Sequence, residues 1–209
     1  LVNNYPPMRE LVQGLVRQGY RNYAFLGGIN TLDNRERYQA FTDVLKENGI
    51  PFHPESYLTG DYREKSGYQA AKLLLIGERL PQALVCANDN MAMGAIKALE
   101  AKDLAGKVKV VGINAIDSAL DYIENGTMTC SADCQGWQQG GYSLAICYDA
   151  WLGKFDVASL DHGYRLFGTA CTIIDQENVA DFREEFYVQG AKLDFENYWE
   201  AFRIGDYPV

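Results

Sequence analysis

Histidine is nearly absent: His53 and His162 are the only two in 209 residues. A metal site or hydrolase built on imidazole would have to rest on one of them, and their surroundings, PFHPES and LDHGYR, read as loops. No GxSxG, GxxxxGKS, GxxxxGKT or HExxH occurs, and no GxGxxG follows a strand, so the common nucleophile, phosphate-loop and zinc-hydrolase signatures are missing. No apolar run reaches the roughly 18 residues that crossing a bilayer needs. Basic residues are also scarce. Nineteen Lys and Arg face 28 Asp and Glu, for a net charge of −9 and a pI near 4.7. A charge of that sign argues against a surface that neutralises phosphates along a nucleic acid and suits a small neutral or cationic ligand, or a solubility role, instead.

The five cysteines, Cys86, Cys130, Cys134, Cys147 and Cys171, are odd in number and too scattered for a disulfide framework. Cys130 and Cys134 form the only close pair, with no histidine near them to complete a zinc site. Cys86 and Cys171 lie in apolar, strand-like runs and read as buried free thiols. The chain has no repeat and no low-complexity linker. It lacks a starting Met and a signal peptide and opens in mid-pattern with LVNNYPPM, which reads as the later part of a longer protein.

What is present is a chain with 47% hydrophobic and 22% charged residues, enough for a sizeable core in one large domain or two lobes. Met8, Leu11, Val12, Leu15 and Val16 keep the spacing of an amphipathic helix that Gly19 ends. YAFLGG reads as a buried strand. Tyr38, Phe41 and Leu45 mark a second helix, and GDYREKSGYQAAKLLLIG carries a third. The strand ALVCA, a helix from Met91 to about Ala101, the strand VKVVGI and a short helix stopping at Asn125-Gly126 follow. Such alternation with short connections predicts an α/β fold, an open parallel sheet flanked by helices. Beyond it come the strand-like TMTCSA, a helix with Trp137, Gly141, Leu144, Tyr148 and Trp151 on one face, a last strand GTACTII, and an aromatic, acidic tail without clear periodicity.

Ligands of open parallel sheets bind beyond the carboxyl ends of the strands. Four polar points lie there: the loop from Gly27 to Arg37, Asn88 to Asn90 in CANDNMAMGAIKAL, Asn114, and Asp133. Amides, carboxylates and a guanidinium are the groups that grip a polyhydroxylated ligand. Plainer readings stand beside this one for Asn88, Arg37 and the nearby Tyr62. Asn88 can be a helix cap, worth about 1 kcal/mol, Arg37 a solvated charge, and Tyr62 a half-buried surface aromatic. Asn125-Gly126-Thr127 matches a glycosylation sequon, but Gly126 as a helix stop accounts for it.

Together RERYQAF, ANDNMAMGAIKAL and VKVVGIN resemble the type 1 periplasmic binding protein superfamily, which includes sugar-binding proteins of ABC transporters and the effector domains of lactose-repressor-like regulators. The resemblance implies Rossmann-like lobes and a site in which Arg37 donates to sugar hydroxyls, Asn88 contacts the ligand, and Tyr62 stacks on the sugar face. Asn114 stands where the family usually has Asp, which exchanges a two-acceptor grip for a mixed donor and acceptor contact. Asp133 falls near a polar residue at the last interlobe crossing. Ala40 replaces a glycine common in the arginine helix.

The same resemblance implies that the opening part of lobe one lies outside this chain. On that reading residues 1–131 form the second lobe, 132–155 a crossover helix belonging to the first, and 156–209 a returning strand and tail. The ending GTACTIIDQENVADF is similar to the transporter branch. The implied function is therefore a solute-binding receptor, closing on a sugar, polyol or sugar acid and presenting itself to ABC transporter membrane subunits. It implies no enzymatic activity, cofactor, membrane insertion or nucleic-acid contact through this segment, and a periplasmic or extracellular location. The alternatives are a cytoplasmic regulator's effector domain and a sensor domain.

Overall fold

The apolar runs YAFLG, ALVC and KVVGI form β1 (Tyr23–Gly27), β3 (Ala83–Cys86) and β4 (Lys109–Ile113). With β2 (Tyr57–Thr59), β5 (Cys130–Asp133) and β6 (Thr172–Ile174) they make one six-stranded sheet in the order β2-β1-β3-β4-β5-β6. Every pairing is parallel except β5 with β6. The structure is a computed structural model and describes residues 3–77, 80–160, 169–190, 192–195 and 198. His162 lies outside the described residues.

The central strands β1, β3 and β4 are almost wholly apolar because both sheet faces are covered there, as parallel sheets require. Phe25, Val85, Val111 and Ile113 point to one side, against α1 (Tyr5–Arg17) and α2 (Leu32–Glu47). Leu26, Leu84, Cys86 and Val110 point to the other, against α3 (Glu64–Leu74), α4 (Asp89–Glu100) and α5 (Asp117–Glu124). Glycine lets α3 and α4 touch: a Cβ on Gly94 would collide with the Glu64 carbonyl. Gly19 (φ 94°) and Gly126 (φ 79°) follow α1 and α5 in the left-handed region, the helix stops read from sequence.

Three features differ from the sequence reading. β2 has only three residues, none of them buried, too short and too exposed to show a period. GTACTII narrows to β6, an antiparallel edge. The tail folds in part into α7 (Val179–Arg183) and a five-residue π-helical turn, Glu184–Val188. In α6 (Gly136–Trp151) only Tyr142 is buried, and the face bearing Leu144, Tyr148 and Trp151 is 71%, 56% and 77% exposed.

Candidate binding site

A cleft of about 380 Å³ opens where β4 and β5 end. Its lining includes Arg37, Asn114, Asp133, Trp137, Phe186 and Tyr187. Three of the five residues picked from sequence, Arg37, Asn114 and Asp133, thus meet on one wall. The other two lie outside it.

Arg37 reaches this wall from α2 and is 6% exposed. Its Nε and Nη2 donate to Asn4 Oδ1 at 2.9 and 2.6 Å, and Nη1 donates to the Ala87 carbonyl at 2.6 Å. A guanidinium has five N–H donors, so two remain for a ligand. Asn4 precedes α1 without capping it through its side chain. Its amide nitrogen instead donates to Asp33 and Glu36. Its role in orienting Arg37 across 33 positions of sequence is a tertiary fact.

Asn114 follows β4 at φ 120°, and Ala115 follows at φ 46°. Two successive residues in that region make a costly turn that neighbours must hold. Asp89 holds it. Fully buried at the first turn of α4, its carboxylate accepts from Ser131 Oγ at 2.6 Å and from the Ile116 N–H at 3.0 Å. Ser131 Oγ in turn accepts from the Ala115 N–H at 3.0 Å. A side chain at Gly112 would collide with Asp89 Oδ1, so the glycine of VVGIN makes room for the carboxylate. Burial pushes the Asp89 carboxyl up to about 6, against the lowering effect of its hydrogen bonds and of Arg37. The Asn114 side chain, exposed at the cleft, makes no hydrogen bond among the described residues.

Asp133 ends β5, 4% exposed, and accepts from the Gln135 N–H at 2.9 Å. Burial raises its pKa, partly offset by that bond. Beside these polar groups the cleft carries an aromatic wall. The Trp137 ring lies 5.1 Å from Phe186, which lies 4.7 Å from Phe182, and Tyr187 donates its hydroxyl to the Ala115 carbonyl at 3.0 Å. The buried Trp137 Nε1 has no partner among the described residues. Arg183 fixes this wall by bonding Asp117, Asp121 and Glu124 of α5 at 2.7–3.0 Å. Trp137 reads in sequence as a helix-face residue, and Phe186 and Tyr187 belong to the unplaced tail, so the aromatic wall has no sequence signal.

Tyr62 sits elsewhere. At φ 67° its ring packs on Gly28 and its hydroxyl bonds Thr31 Oγ1 at 2.7 Å. Asn88, 6% exposed, caps α4 by accepting from the Met91 N–H at 3.0 Å and donates to the Tyr62 carbonyl at 2.9 Å. One N–H and one lone pair remain on that amide. Asn88→Ala is expected to lower unfolding free energy by about 1–2 kcal/mol, because it removes a cap and a tether. Denaturant titration showing a loss under about 0.5 kcal/mol would mean the two bonds contribute little.

All five cysteines are free thiols in this structure. Among the described residues no cluster of His, Cys, Asp and Glu could hold a metal, and no helix is long and apolar enough to cross a membrane.

Residues 9–155 match the family model described as periplasmic binding protein domain. The chain belongs to the periplasmic binding protein family. Its fold is the type 1 form, α/β with a mostly parallel sheet. Among curated relatives of this chain is the HTH-type transcriptional repressor PurR of Actinobacillus pleuropneumoniae, 31% identical over 113 residues, which are 53% of this chain and 34% of the repressor. Two solved structures share the fold. A twin-arginine translocation pathway signal protein from Burkholderia phytofirmans superposes with TM-score 0.84 at 24% identity, over 95% of this chain and 62% of that one. An ABC transporter periplasmic solute-binding protein from Actinobacillus succinogenes, with bound D-allose, gives TM-score 0.72 at 22% identity over 86% and 62%. The matched segment thus spans about a third of the curated relative's length. Of these three, one is described as a transcriptional repressor and one as a solute-binding protein.

Proposed function

We propose that this protein is the solute receptor of an ABC transporter and binds a sugar or sugar-like polyol in the cleft lined by Arg37, Asn114 and Asp133 together with Trp137, Phe186 and Tyr187. That mixed polar and aromatic lining carries the reading: hydroxyls need fixed donors and acceptors, and the C–H face of a sugar ring needs an aromatic surface. Arg37 and Asp133 place one cation and one carboxyl in the same cleft, which favours a neutral ligand over the sugar acid that Arg37 alone would accommodate. The allose bound by a relative of the same fold supports the class. In this reading α6 belongs with a first lobe that closes over the cleft, in keeping with its single buried residue. Asn88 and Tyr62 lie beside the cleft and reach the ligand only if closure draws it toward the ends of β1 and β3.

The second reading is the effector domain of a regulator, favoured by the identity to a repressor. A thermal-shift screen of the complete protein against pentoses, hexoses, polyols, sugar acids and amino acids tests the ligand class. Stabilisation of several degrees by a neutral sugar or polyol is the expected result, and stabilisation by amino acids alone would refute it. Sugar-dependent DNA binding by the complete protein would decide for the regulator.

A further inference from the structure

The antiparallel edge of the sheet pairs Ser131 with Ile174, Ala132 with Ile173 and Asp133 with Thr172. The next step of this ladder sets Cys134 opposite Cys171, and their Sγ atoms lie 2.8 Å apart. Directly opposed residues of antiparallel strands bring their Cβ atoms to about 4.5–5.5 Å, close to what a disulfide spans. Cys130, the sequence neighbour, stands about 13 Å from Cys134 along an extended strand and cannot reach it. The backbone here is held independently of the sulfurs: the Cys134 carbonyl accepts from Thr169 Oγ1 at 2.7 Å and from Gln139 Nε2 at 2.8 Å. Oxidation therefore asks for thiol rotation rather than strand movement.

We propose that Cys134 and Cys171 are a redox pair that closes to a disulfide by exchange with a small-molecule disulfide, bridging the sheet edge beside the binding cleft. Cys134 is 6% exposed while Cys171 is half-buried, so Cys171 meets the reagent first. The thiol–thiol hydrogen bond favours its thiolate, while the same bond and burial hold the proton on Cys134. The Cys171 thiolate attacks one sulfur of the reagent, and its S–S bond breaks to release a thiolate. Cys134 then attacks the Cys171 sulfur of the mixed disulfide, losing its proton and expelling the second reagent thiol. Two protein thiols are oxidised to one disulfide, and one external disulfide is reduced to two thiols. The bridge closes the loop that carries α6, so it ties the exit of β5, where Asp133 and Cys134 line the cleft, to the start of β6.

The test treats the protein with oxidised glutathione, then maps it by mass spectrometry without reduction. Trypsin leaves Cys130, Cys134 and Cys147 on the peptide 110–154 and Cys171 on 166–183. The expected product joins these two peptides with the loss of two hydrogens, and fragmentation places the bridge at Cys134. The oxidised protein should melt about 5–10 °C higher, a shift reversed by dithiothreitol and absent in Cys171→Ser. Five titratable thiols after treatment, a bridge at Cys130 or Cys147, or a glutathione adduct that persists on Cys171 would each overturn the proposal. Should Cys171→Ser fail to fold, the peptide map of the unaltered protein still decides.

Discussion

Asp89→Ala should cost about 2–4 kcal/mol of unfolding free energy. The carboxylate is fully buried, and its removal leaves the Ser131 hydroxyl and the Ile116 N–H without an acceptor, at about 1–3 kcal/mol each. It also frees the turn in which Asn114 and Ala115 take φ 120° and 46°, so Asn114 should lose its fixed orientation and ligand affinity should fall as well. Urea unfolding is the measurement, with the midpoint lowered and the slope unchanged. A loss below 1 kcal/mol would show that the turn holds itself.

The same residue gives stability a dependence on pH. The folded carboxyl titrates near 6, above the unfolded value of about 3.9. Between these values the folded state binds more protons than the unfolded state, so stability declines as pH rises from about 4 to 6, by an amount of order 2–3 kcal/mol. Asp89→Asn should remove this decline while retaining one acceptor oxygen. A profile unchanged in the variant would assign the slope to other carboxyls.

Asp89 also shows where the sequence was readable and where it was not. The polar interruption of CANDN announces a strand end and a helix start, and the structure has both. Which of its residues turns inward is decided by Gly112 and Ser131, on strands brought alongside only by the sheet. Asn114 and Asp133 converge because the carboxyl ends of the neighbouring parallel strands β4 and β5 share one rim, and Arg37 joins them from the second turn of α2, where Asn4 and the Ala87 carbonyl hold its guanidinium. Tyr62 escapes that rim because GDY enters a left-handed turn that lays the ring on Gly28. The aromatic wall was out of reach for another reason: Phe186 and Tyr187 follow no helical or strand period, and Arg183 positions them through carboxylates 59 to 66 residues earlier. Local pattern reports elements and their ends, whereas the aromatic lining of the cleft depends on long-range charge pairing.

Arg37→Ala is expected to have the largest effect on binding. The side chain joins both structural and ligand roles, which a pair of variants separates. Alanine leaves Asn4 Oδ1 and the Ala87 carbonyl without their donor, so about 2–4 kcal/mol of stability should go. It also removes the two N–H groups that face the cleft, charge-assisted donors worth about 1.5–3 kcal/mol each, and affinity for the sugar found in the screen should fall at least about 100-fold. Arg37→Lys keeps the charge but replaces a planar fork with a single ammonium. Its three N–H donors can serve Asn4 and Ala87 but not a ligand as well, so it should fold nearly as well as the unaltered protein and still bind at least about 10-fold more weakly. Asn4→Ala completes the comparison. It leaves the guanidinium in place but removes the acceptor that holds two of its nitrogens, and a double-mutant cycle with Arg37→Ala should give a coupling of about 1–3 kcal/mol in stability. Calorimetric titration on each folded variant reads the binding. If Arg37→Lys and Arg37→Ala both retain full affinity, Arg37 is a structural strut between α1 and β3, and the ligand lies elsewhere on the rim.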